Sequence, residues 1–266
     1  MNILQEIAAY TKERIARQKE ARPTDALMEQ AHSVCGQENT PYEFPFEKAL
    51  RGDDISFICE VKKASPSKGV LAEDFPYLDI ARDYEAAGAA AISVLTEPRY
   101  FKGSDLYLRE MAEVVSAPLL RKDFTVDSYM IYEAKLLGAS AVLLICSLLD
   151  KDTLADYIRL AHSLGLSALV ETHTEAEVER ALHAGARLVG VNNRNLKTFD
   201  VDISLSEQLR KKVPKDILFV AESGIRCAED VQRMRQNGVD AVLVGETLMR
   251  SSDKKAALAE LRGAAL

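Results

Sequence analysis

The 266-residue chain lacks the features that mark several classes of protein. Its 34 lysines and arginines against 41 acidic residues give a net charge of −7, so no broad basic face is available to meet a nucleic acid. Its four cysteines are widely spaced without a C-x-x-C pair, a pattern typical of reduced thiols and not of disulfides or a zinc site. The longest apolar run, AVLLIC, is too short to cross a bilayer, and the first twenty residues carry frequent charges, unlike a signal peptide. We therefore expect a cytoplasmic protein without nucleic-acid, membrane or metal partners.

A local pattern recurs along the chain: a helical stretch ends at glycine, and a short apolar strand follows. Glycine past a helix end takes the left-handed conformation that closes the helix. A strand that is apolar on both faces is typical of a parallel sheet covered by helices. The five segments with this pattern are AAGAAAISVL, LLGASAVLLI, SLGLSALVE, HAGARLVGVN and QNGVDAVLVG.

Three further segments, ISFICEVK, APLLRKDF and DILFVAESG, resemble these strands without the preceding glycine, which brings the number of predicted strands to eight. Helical patterns separate most of them. Eight alternating strands and helices predict an α/β protein with a single (β/α)8 TIM barrel. The alternative, an open doubly wound sheet, is disfavoured because no G-x-G-x-x-G follows any strand.

About fifty residues precede the first predicted strand. We predict an N-terminal helical extension over residues 1–50 that packs on a catalytic barrel over residues 51–266, the two forming one domain. Ile3, Ile7 and Ile15 indicate a first amphipathic helix, a second can start at Pro23, and FPFEKAL can form a third. These helices can plug the bottom of the barrel or form a lid over its top, and the sequence leaves both options open.

Charged or amide side chains end the predicted strands, which are otherwise apolar. Because side chains alternate along a strand, Glu60 and Lys62 share the face of Ile58, at the carboxyl end where the active sites of such barrels lie. A cluster of charges in a partly desolvated mouth shifts pKa values and suits general acid–base catalysis. We therefore predict a shared catalytic site rather than a purely structural ion-pair network. Its members are Glu60, Lys62, Lys122, Glu171, Asn192, Arg194 and Glu222.

A second signal follows the last two strands, where AESGI and VGETLM place small residues in the turns. Backbone N–H groups can approach an anion there, and a short helix that begins after Gly245 would point its positive end at the same place. Ser65, in the loop after the first strand, can add a hydroxyl. The simpler explanation is that Gly224 and Gly245 only serve tight turns, but their position after strands seven and eight favours a phosphorylated small-molecule substrate.

The ordered set of motifs resembles the indole-3-glycerol-phosphate synthase family of tryptophan biosynthesis from the N-terminal helices to the last strand. The motifs are EVKKASPSKG, SVLTEPRYFKGS, LLRKDF, YEAKLLGASAVLLI, LVETH, GVNNRNLKTF and VAESGI. Two departures, Thr172 and Ser140, lie outside the candidate catalytic groups. The resemblance implies a carboxy-lyase that closes the ring of 1-(2-carboxyphenylamino)-1-deoxyribulose 5-phosphate and releases CO2 and water.

The resemblance also implies the role of each candidate residue. Lys122 would be the general acid and Glu171 the general base, while Lys62, held by Glu60, would bind substrate and serve as a second acid. Arg194 and Asn192 would hold the substrate carboxylate and hydroxyls, Glu222 would orient the lysines or a hydroxyl, and Phe124 would pack on the aromatic ring. Ser65, Ser223, Gly224, Gly245 and Glu246 would receive the phosphate. The cationic ring intermediate is its own electron sink, so no cofactor is expected.

Two alternatives remain at this point: a related sugar-phosphate isomerase, or a catalytically silent phosphate-binding barrel. An isomerase would carry aspartate or cysteine at the strand ends, where this sequence has Lys122 and Glu171. We expect a monomer, and association with other tryptophan-pathway enzymes stays open.

Overall fold

A computed structural model describes residues 2–35 and 42–263 of the chain. Eight parallel strands close into a barrel in which each strand pairs with its neighbours in sequence and the last strand pairs with the first. This confirms the predicted (β/α)8 barrel. The strands are β1 (Ser56–Val61), β2 (Ala91–Leu95), β3 (Leu119–Lys122), β4 (Ala141–Ile145), β5 (Ser167–Thr172), β6 (Leu188–Asn192), β7 (Leu218–Glu222) and β8 (Ala241–Val244).

Helices precede the barrel and alternate with its strands. The five glycines predicted to close helices all have positive φ, from 71° to 91°. The helices are α1 (Ile3–Ala21), α2 (Thr24–Ser33), α3 (Pro45–Leu50), α4 (Tyr77–Ala86), α5 (Asp105–Val114), α6 (Tyr129–Leu136), a short 3-10 turn (Cys146–Leu148), α7 (Lys151–Ser163), α8 (Glu175–His183), α9 (Ser204–Arg210), α10 (Ala228–Gln236), α11 (Glu246–Arg250) and α12 (Lys254–Leu261). No helix in the described residues is both long and apolar enough to span a membrane.

The apolar side chains form two layers because they alternate along each strand. Residues such as Phe57, Val94 and Phe219 face outward and pack under the helices. Residues such as Ile58 and Leu169 face inward and fill the barrel. Fully burying one such side chain stabilises the fold by about 1.5–3 kcal/mol. The inward layer is apolar at the amino ends of the strands and becomes charged only at their carboxyl ends, so the barrel is a packed core with a polar mouth.

The N-terminal helices cover both ends of the barrel. Leu4 and Ile7 of α1 line the cavity at the carboxyl ends of the strands. At the opposite end, Phe46 and Leu50 of α3 are fully buried against the first residues of several strands, and Glu47 pairs with Arg187 just before β6 (2.8 Å). The sequence left open whether these helices form a lid over the top of the barrel or a plug at its bottom. The structure has both, because α1 covers the mouth and α3 closes the bottom.

Candidate active site

A cavity of about 710 Å³ opens at the carboxyl ends of the strands, with the apolar side chains of the barrel interior as its floor. Its volume lies within the range typical of small-molecule sites. The structure brings every residue that the sequence predicted for the site around this one cavity. They are Glu60, Lys62, Ser65, Lys122, Phe124, Glu171, Asn192, Arg194, Glu222, Ser223, Gly224, Gly245 and Glu246.

Lys122 lies at the centre of the charged part of the cavity. Its Nζ is 3.0 Å from Oε2 of Glu222 and 3.8 Å from Oε2 of Glu171. The end of β1 contributes a second pair, in which the Lys62 ammonium donates to the Glu60 carboxylate. The carboxylates are almost completely buried, whereas the lysine side chains keep 14–16% of their surface exposed toward the cavity. The ammonium groups are therefore the parts of the cluster that a ligand can reach.

The electrostatics of the cluster follow from burial and from the unequal numbers of charges. Burial by itself lowers the pKa of Lys122, but the carboxylates of Glu222, Glu171 and Glu60 outweigh it and raise the pKa above its ordinary value. Burial raises the pKa of Glu222 to about 7, because the Lys122 ammonium offsets only part of the desolvation and Glu171 adds to it. Three carboxylates face two ammonium groups, and Glu222 is the one that loses its proton only as the pH rises through about 7.

The pKa of Glu60, the carboxylate that pairs with Lys62, is shifted in the opposite direction to that of Glu222. Burial by itself raises the pKa of Glu60, but the ammonium of Lys62, with Lys122 behind it, lowers the pKa below its ordinary value. Glu60 therefore stays ionised and keeps Lys62 in place as an ammonium. The two lysines are thus held by carboxylates of different character, one ionised and one able to carry a proton.

Two glycines leave the space that these carboxylates occupy. A Cβ on Gly190, in the middle of β6, would collide with Oε1 of Glu222. A Cβ on Gly245, at the end of β8, would collide with the Glu60 carboxylate and would crowd Nζ of Lys62 at 2.9 Å. Sequence reasoning assigned Gly245 to an anion-binding turn and gave Gly190 no role. Both have a steric reason to be glycine that depends on the neighbouring strand.

The loops after β7 and β8 meet at one side of the cavity. Ser223 has a left-handed backbone with φ of 66°, and Thr247 Oγ1 in α11 donates to the carbonyl of Ile225 (2.8 Å), which ties the two loops together. The sequence predicted only turn structure around Ser65. The structure instead has a small hairpin, Ala64–Ser65 paired with Gly69–Val70, which extends over the same side of the cavity.

The loop after β6 carries the remaining polar candidates. Oδ1 of Asn192 accepts a hydrogen bond from the backbone N–H of Arg194 (3.0 Å), and the guanidinium of Arg194 lies 3.8 Å from the carboxylate of Glu246. Asn193, which sequence reasoning did not single out, donates through Nδ2 to the carbonyl of Ser223 (3.0 Å). Because side chains alternate along the chain here, Asn193 lies away from the cavity, and its hydrogen bond joins the β6 loop to the β7 loop.

Sequence reasoning also missed how α1 is attached to the mouth. Arg14 donates to Oδ2 of Asp123 (2.7 Å), and the same carboxylate accepts from Thr96 Oγ1 (2.8 Å) at the end of β2. Lys19 pairs with Asp127 (2.7 Å) one turn further along the helix. The sequence shows an aspartate, Asp123, next to Lys122, but the partner of that aspartate is Arg14, more than a hundred residues earlier in the chain. Tertiary structure alone brings them together.

We expect Arg14→Gln to lower the free energy of unfolding by about 1–3 kcal/mol, because the buried Asp123 carboxylate then loses a charged hydrogen bond. Urea unfolding followed by circular dichroism measures the change. Arg17→Gln on the same helix is the matched control, because the Arg17 side chain is 73% exposed, and we expect less than about 0.5 kcal/mol there. Equal losses in the two variants would contradict the role of the Arg14–Asp123 pair.

Metal ligands are not evident at the site. Within residues 2–35 and 42–263, no three histidine, cysteine, aspartate or glutamate side chains are grouped as they would be to hold a metal ion. His173, at the end of β5, lies on the rim of the barrel, with its ring 3.8 Å from Glu171.

The closed barrel and the lysine–carboxylate cluster at its mouth define a (β/α)8-barrel enzyme equipped for acid–base chemistry. Comparison with known proteins identifies its family. The family model described as indole-3-glycerol phosphate synthase matches residues 4–261. The chain belongs to the indole-3-glycerol phosphate synthase family, a family of carboxy-lyases, which confirms the resemblance seen in the sequence motifs.

Curated relatives match over nearly the whole chain. The indole-3-glycerol phosphate synthase of Ruminiclostridium cellulolyticum is 58% identical over 263 residues, covering 99% of this chain and 100% of the relative. The protein of the same name from Lachnoclostridium phytofermentans is 47% identical and covers 98% of each chain. A chain from the tryptophan synthase a2b2 complex of Pyrococcus furiosus (TM-score 0.59, 15% identity, 79% of this chain and 98% of that chain) shares the fold alone.

Proposed function

We propose that this chain catalyses the formation of indole-3-glycerol phosphate, CO2 and water from 1-(2-carboxyphenylamino)-1-deoxyribulose 5-phosphate in tryptophan biosynthesis. The observation that supports this most directly is Lys122, held between two carboxylates in a cavity whose opposite side consists of the β7 and β8 loops. The full-length family match supports the substrate. No observation favours an isomerase or a silent barrel.

The reaction begins with ring closure. The aromatic carbon that bears the carboxylate attacks the ketone, and the oxygen of the ketone takes a proton from the Lys122 ammonium. The new bond leaves a cationic ring, and loss of CO2 returns its electron pair to that ring and restores aromaticity. Because the cation itself accepts the electrons, this step requires nothing beyond the substrate and the ammonium groups.

Dehydration follows decarboxylation. The ring nitrogen pushes out the hydroxyl, which leaves as water after it takes a proton, and Glu171 removes a proton from the ring methylene to form the indole. Lys62 serves as the second acid, held by Glu60. Two protons are donated and one is recovered, so one proton is taken up per turnover, which matches the loss of a carboxylate as CO2. Glu222, with its pKa near 7, is suited to pass that proton to Lys122.

Binding uses the remaining polar side chains. Arg194 and Asn192 hold the carboxylate and the hydroxyls of the substrate, and Phe124 packs on its aromatic ring. The phosphate lies against Ser65, Ser223 and Gly224, and against the backbone amides at Gly245 and Glu246 where α11 begins. We also propose that the protein acts in the cytoplasm as a monomer. Association with other enzymes of the pathway would be tested by gel filtration of mixtures.

Lys62→Ala is expected to raise KM about tenfold and to lower kcat, because a charged contact with the substrate is lost and Glu60 is left without its partner. Steady-state kinetics measure both constants. Lys63→Ala is the matched control: the neighbouring ammonium lies 5.9 Å over the ring of Phe75, away from the cavity. A KM unchanged by Lys62→Ala would remove Lys62 from substrate contact.

The direct test is an absorbance and fluorescence assay with the carboxyphenylamino-deoxyribulose phosphate in metal-free buffer that contains a chelator. We expect prompt appearance of the indole chromophore together with release of CO2. A folded sample that binds the substrate without forming indole would support the silent barrel instead. A sample that neither binds nor turns over the substrate would contradict the proposed function altogether.

A further inference from the structure

His173 lies between two carboxylates directly behind the candidate base. One ring nitrogen, Nε2, is 3.8 Å from Oε1 of Glu171, and the other, Nδ1, is 3.9 Å from Oε2 of Glu177 in α8. The Nε2 atom is buried and makes no hydrogen bond within the described structure. The imidazole nitrogen nearest to Glu171 is therefore close to that carboxylate, somewhat beyond hydrogen-bond distance, and has no other hydrogen-bond partner among the described residues.

The position of Glu177 is fixed independently of the imidazole. Its carboxylate accepts the backbone N–H of His173 (2.6 Å), and its own N–H donates to Thr174 Oγ1 (3.2 Å), so it is part of the cap of α8. The next cation on this helix, Arg180, donates to Sγ of Cys146 (3.1 Å). The charged groups that face the imidazole are therefore Glu171 on the barrel side and Glu177 on the helix side.

Glu171 itself is weakly held on the cavity side. Among the described residues no side chain donates a hydrogen bond to it within 3.5 Å, and Lys122 stands 3.8 Å from its Oε2. The ammonium of Lys122 is closer to a second carboxyl group, that of Glu222, at 3.0 Å. A base that must accept a proton from carbon requires a fixed orientation, and an N–H donor behind the carboxylate supplies one in many enzymes. His173 is the group in position to do so.

We propose that His173 is a positioning residue for the proposed reaction: its Nε2 closes to hydrogen-bond distance of the Glu171 carboxylate in the substrate complex and orients it, and Glu177 on the other side of the ring holds the imidazole in place. This inference depends on the proposed role of Glu171 as the base. Glu171, His173 and Glu177 are thus successive neighbours from the lining of the cavity to the first turn of α8.

The test compares the pH dependence of kcat/KM in three variants. His173→Leu, which removes both ring nitrogens, should lower kcat about tenfold, as loss of an orienting partner typically does, with KM within about twofold. It should also move the acidic limb of the profile to higher pH by about half a unit or more, because the carboxylate without a donor accepts a proton more readily. Glu177→Gln keeps the cap, since the amide oxygen still accepts the His173 N–H, and should move the limb in the same direction by less.

His183→Gln is the matched control, because that exposed imidazole is hydrogen-bonded to the carbonyl of Glu179 in its own helix (2.7 Å) and should leave the profile unchanged. A profile in His173→Leu that matches the wild type, with kcat intact, would overturn the proposal. A fall in kcat without any shift of the limb would also overturn it, since that indicates only a packing role. Failure of the proposed function is distinguishable, because then the wild-type protein itself would form no indole.

Discussion

Lys122→Met should reduce kcat by at least about a thousandfold, because it removes the ammonium that lies between the carboxylates of Glu171 and Glu222 at the centre of the cavity. Steady-state formation of indole measures the loss. Lys151→Met is the matched control, since that lysine begins α7 on the exposed surface. Activity close to wild type in Lys122→Met would remove Lys122 from the role of general acid.

The same variant should also change stability in a pH-dependent way. The folded-state pKa of Glu222 is raised to about 7, so the folded protein favours its protonated form, and stability falls as pH rises from the unfolded pKa through that value. Without Lys122 the pKa rises further, and ionised Glu222 has no partner. Because the variant keeps Glu222 protonated at pH 8, we expect little change in the free energy of unfolding at pH 5 and a loss of about 1–1.5 kcal/mol at pH 8, measured by urea unfolding at the two pH values.

Lys122→Arg separates charge from proton donation. Arginine keeps the positive charge that faces Glu222 and Glu171, but it does not release its proton at neutral pH. Its stability at pH 8 should therefore exceed that of Lys122→Met, while its turnover stays low. Recovery of turnover in the arginine variant would mean that Lys122 acts as a fixed charge and not as an acid.

Glu171→Gln should lower the rate of indole formation by about 10²–10⁴-fold, because the amide preserves the shape of the side chain and cannot accept the methylene proton. Ring closure and decarboxylation precede that step in the proposed mechanism. We therefore expect a burst of CO2 approaching one equivalent per enzyme, with the indole chromophore lagging far behind. Parallel measurement of CO2 and indole over the first turnover, with substrate in excess of enzyme, tests the order of the steps.

Glu179→Gln is the matched control, because Glu179 is exposed on α8, and its turnover should equal that of the wild type. A substrate deuterated at the methylene should show a larger isotope effect in Glu171→Gln than in the wild type, since proton removal then limits the rate. CO2 and indole that appear together at the wild-type rate in Glu171→Gln would assign the base to another group.

Much of the barrel and many of the residues around its cavity could be predicted from the sequence alone. Five of the eight strands, β1, β3, β5, β6 and β7, are short apolar runs that carry a charged or amide residue at the carboxyl end, and alternation along a strand fixes which side chains face inward. Glu60 and Lys62, two residues apart on β1, therefore share a face. The same rule turns Arg121 outward, where it is buried among acids of α5 and α6 and pairs with Asp105 (2.7 Å) and Glu133 (2.6 Å).

What the sequence could not decide depends on contacts between distant segments. Gly190 is required because Glu222 of the adjacent strand fills the space of its Cβ, and strand register decides which side chain arrives there. The positions of α1 over the mouth and α3 at the bottom also depend on such contacts. Amphipathic periodicity predicts that each helix buries one face, but it does not identify the part of the barrel against which that face packs.

The sequence by itself determined the barrel, because alternating strand and helix patterns are local, and it placed acids and lysines at a common rim, because parallel strands end on the same side. Only the tertiary structure decided which groups touch. Lys122 meets Glu222, Arg14 meets Asp123, and His173 stands behind Glu171 at 3.8 Å. Pairings of this kind depend on distances of a few ångströms between segments that the chain brings together only when it closes the barrel.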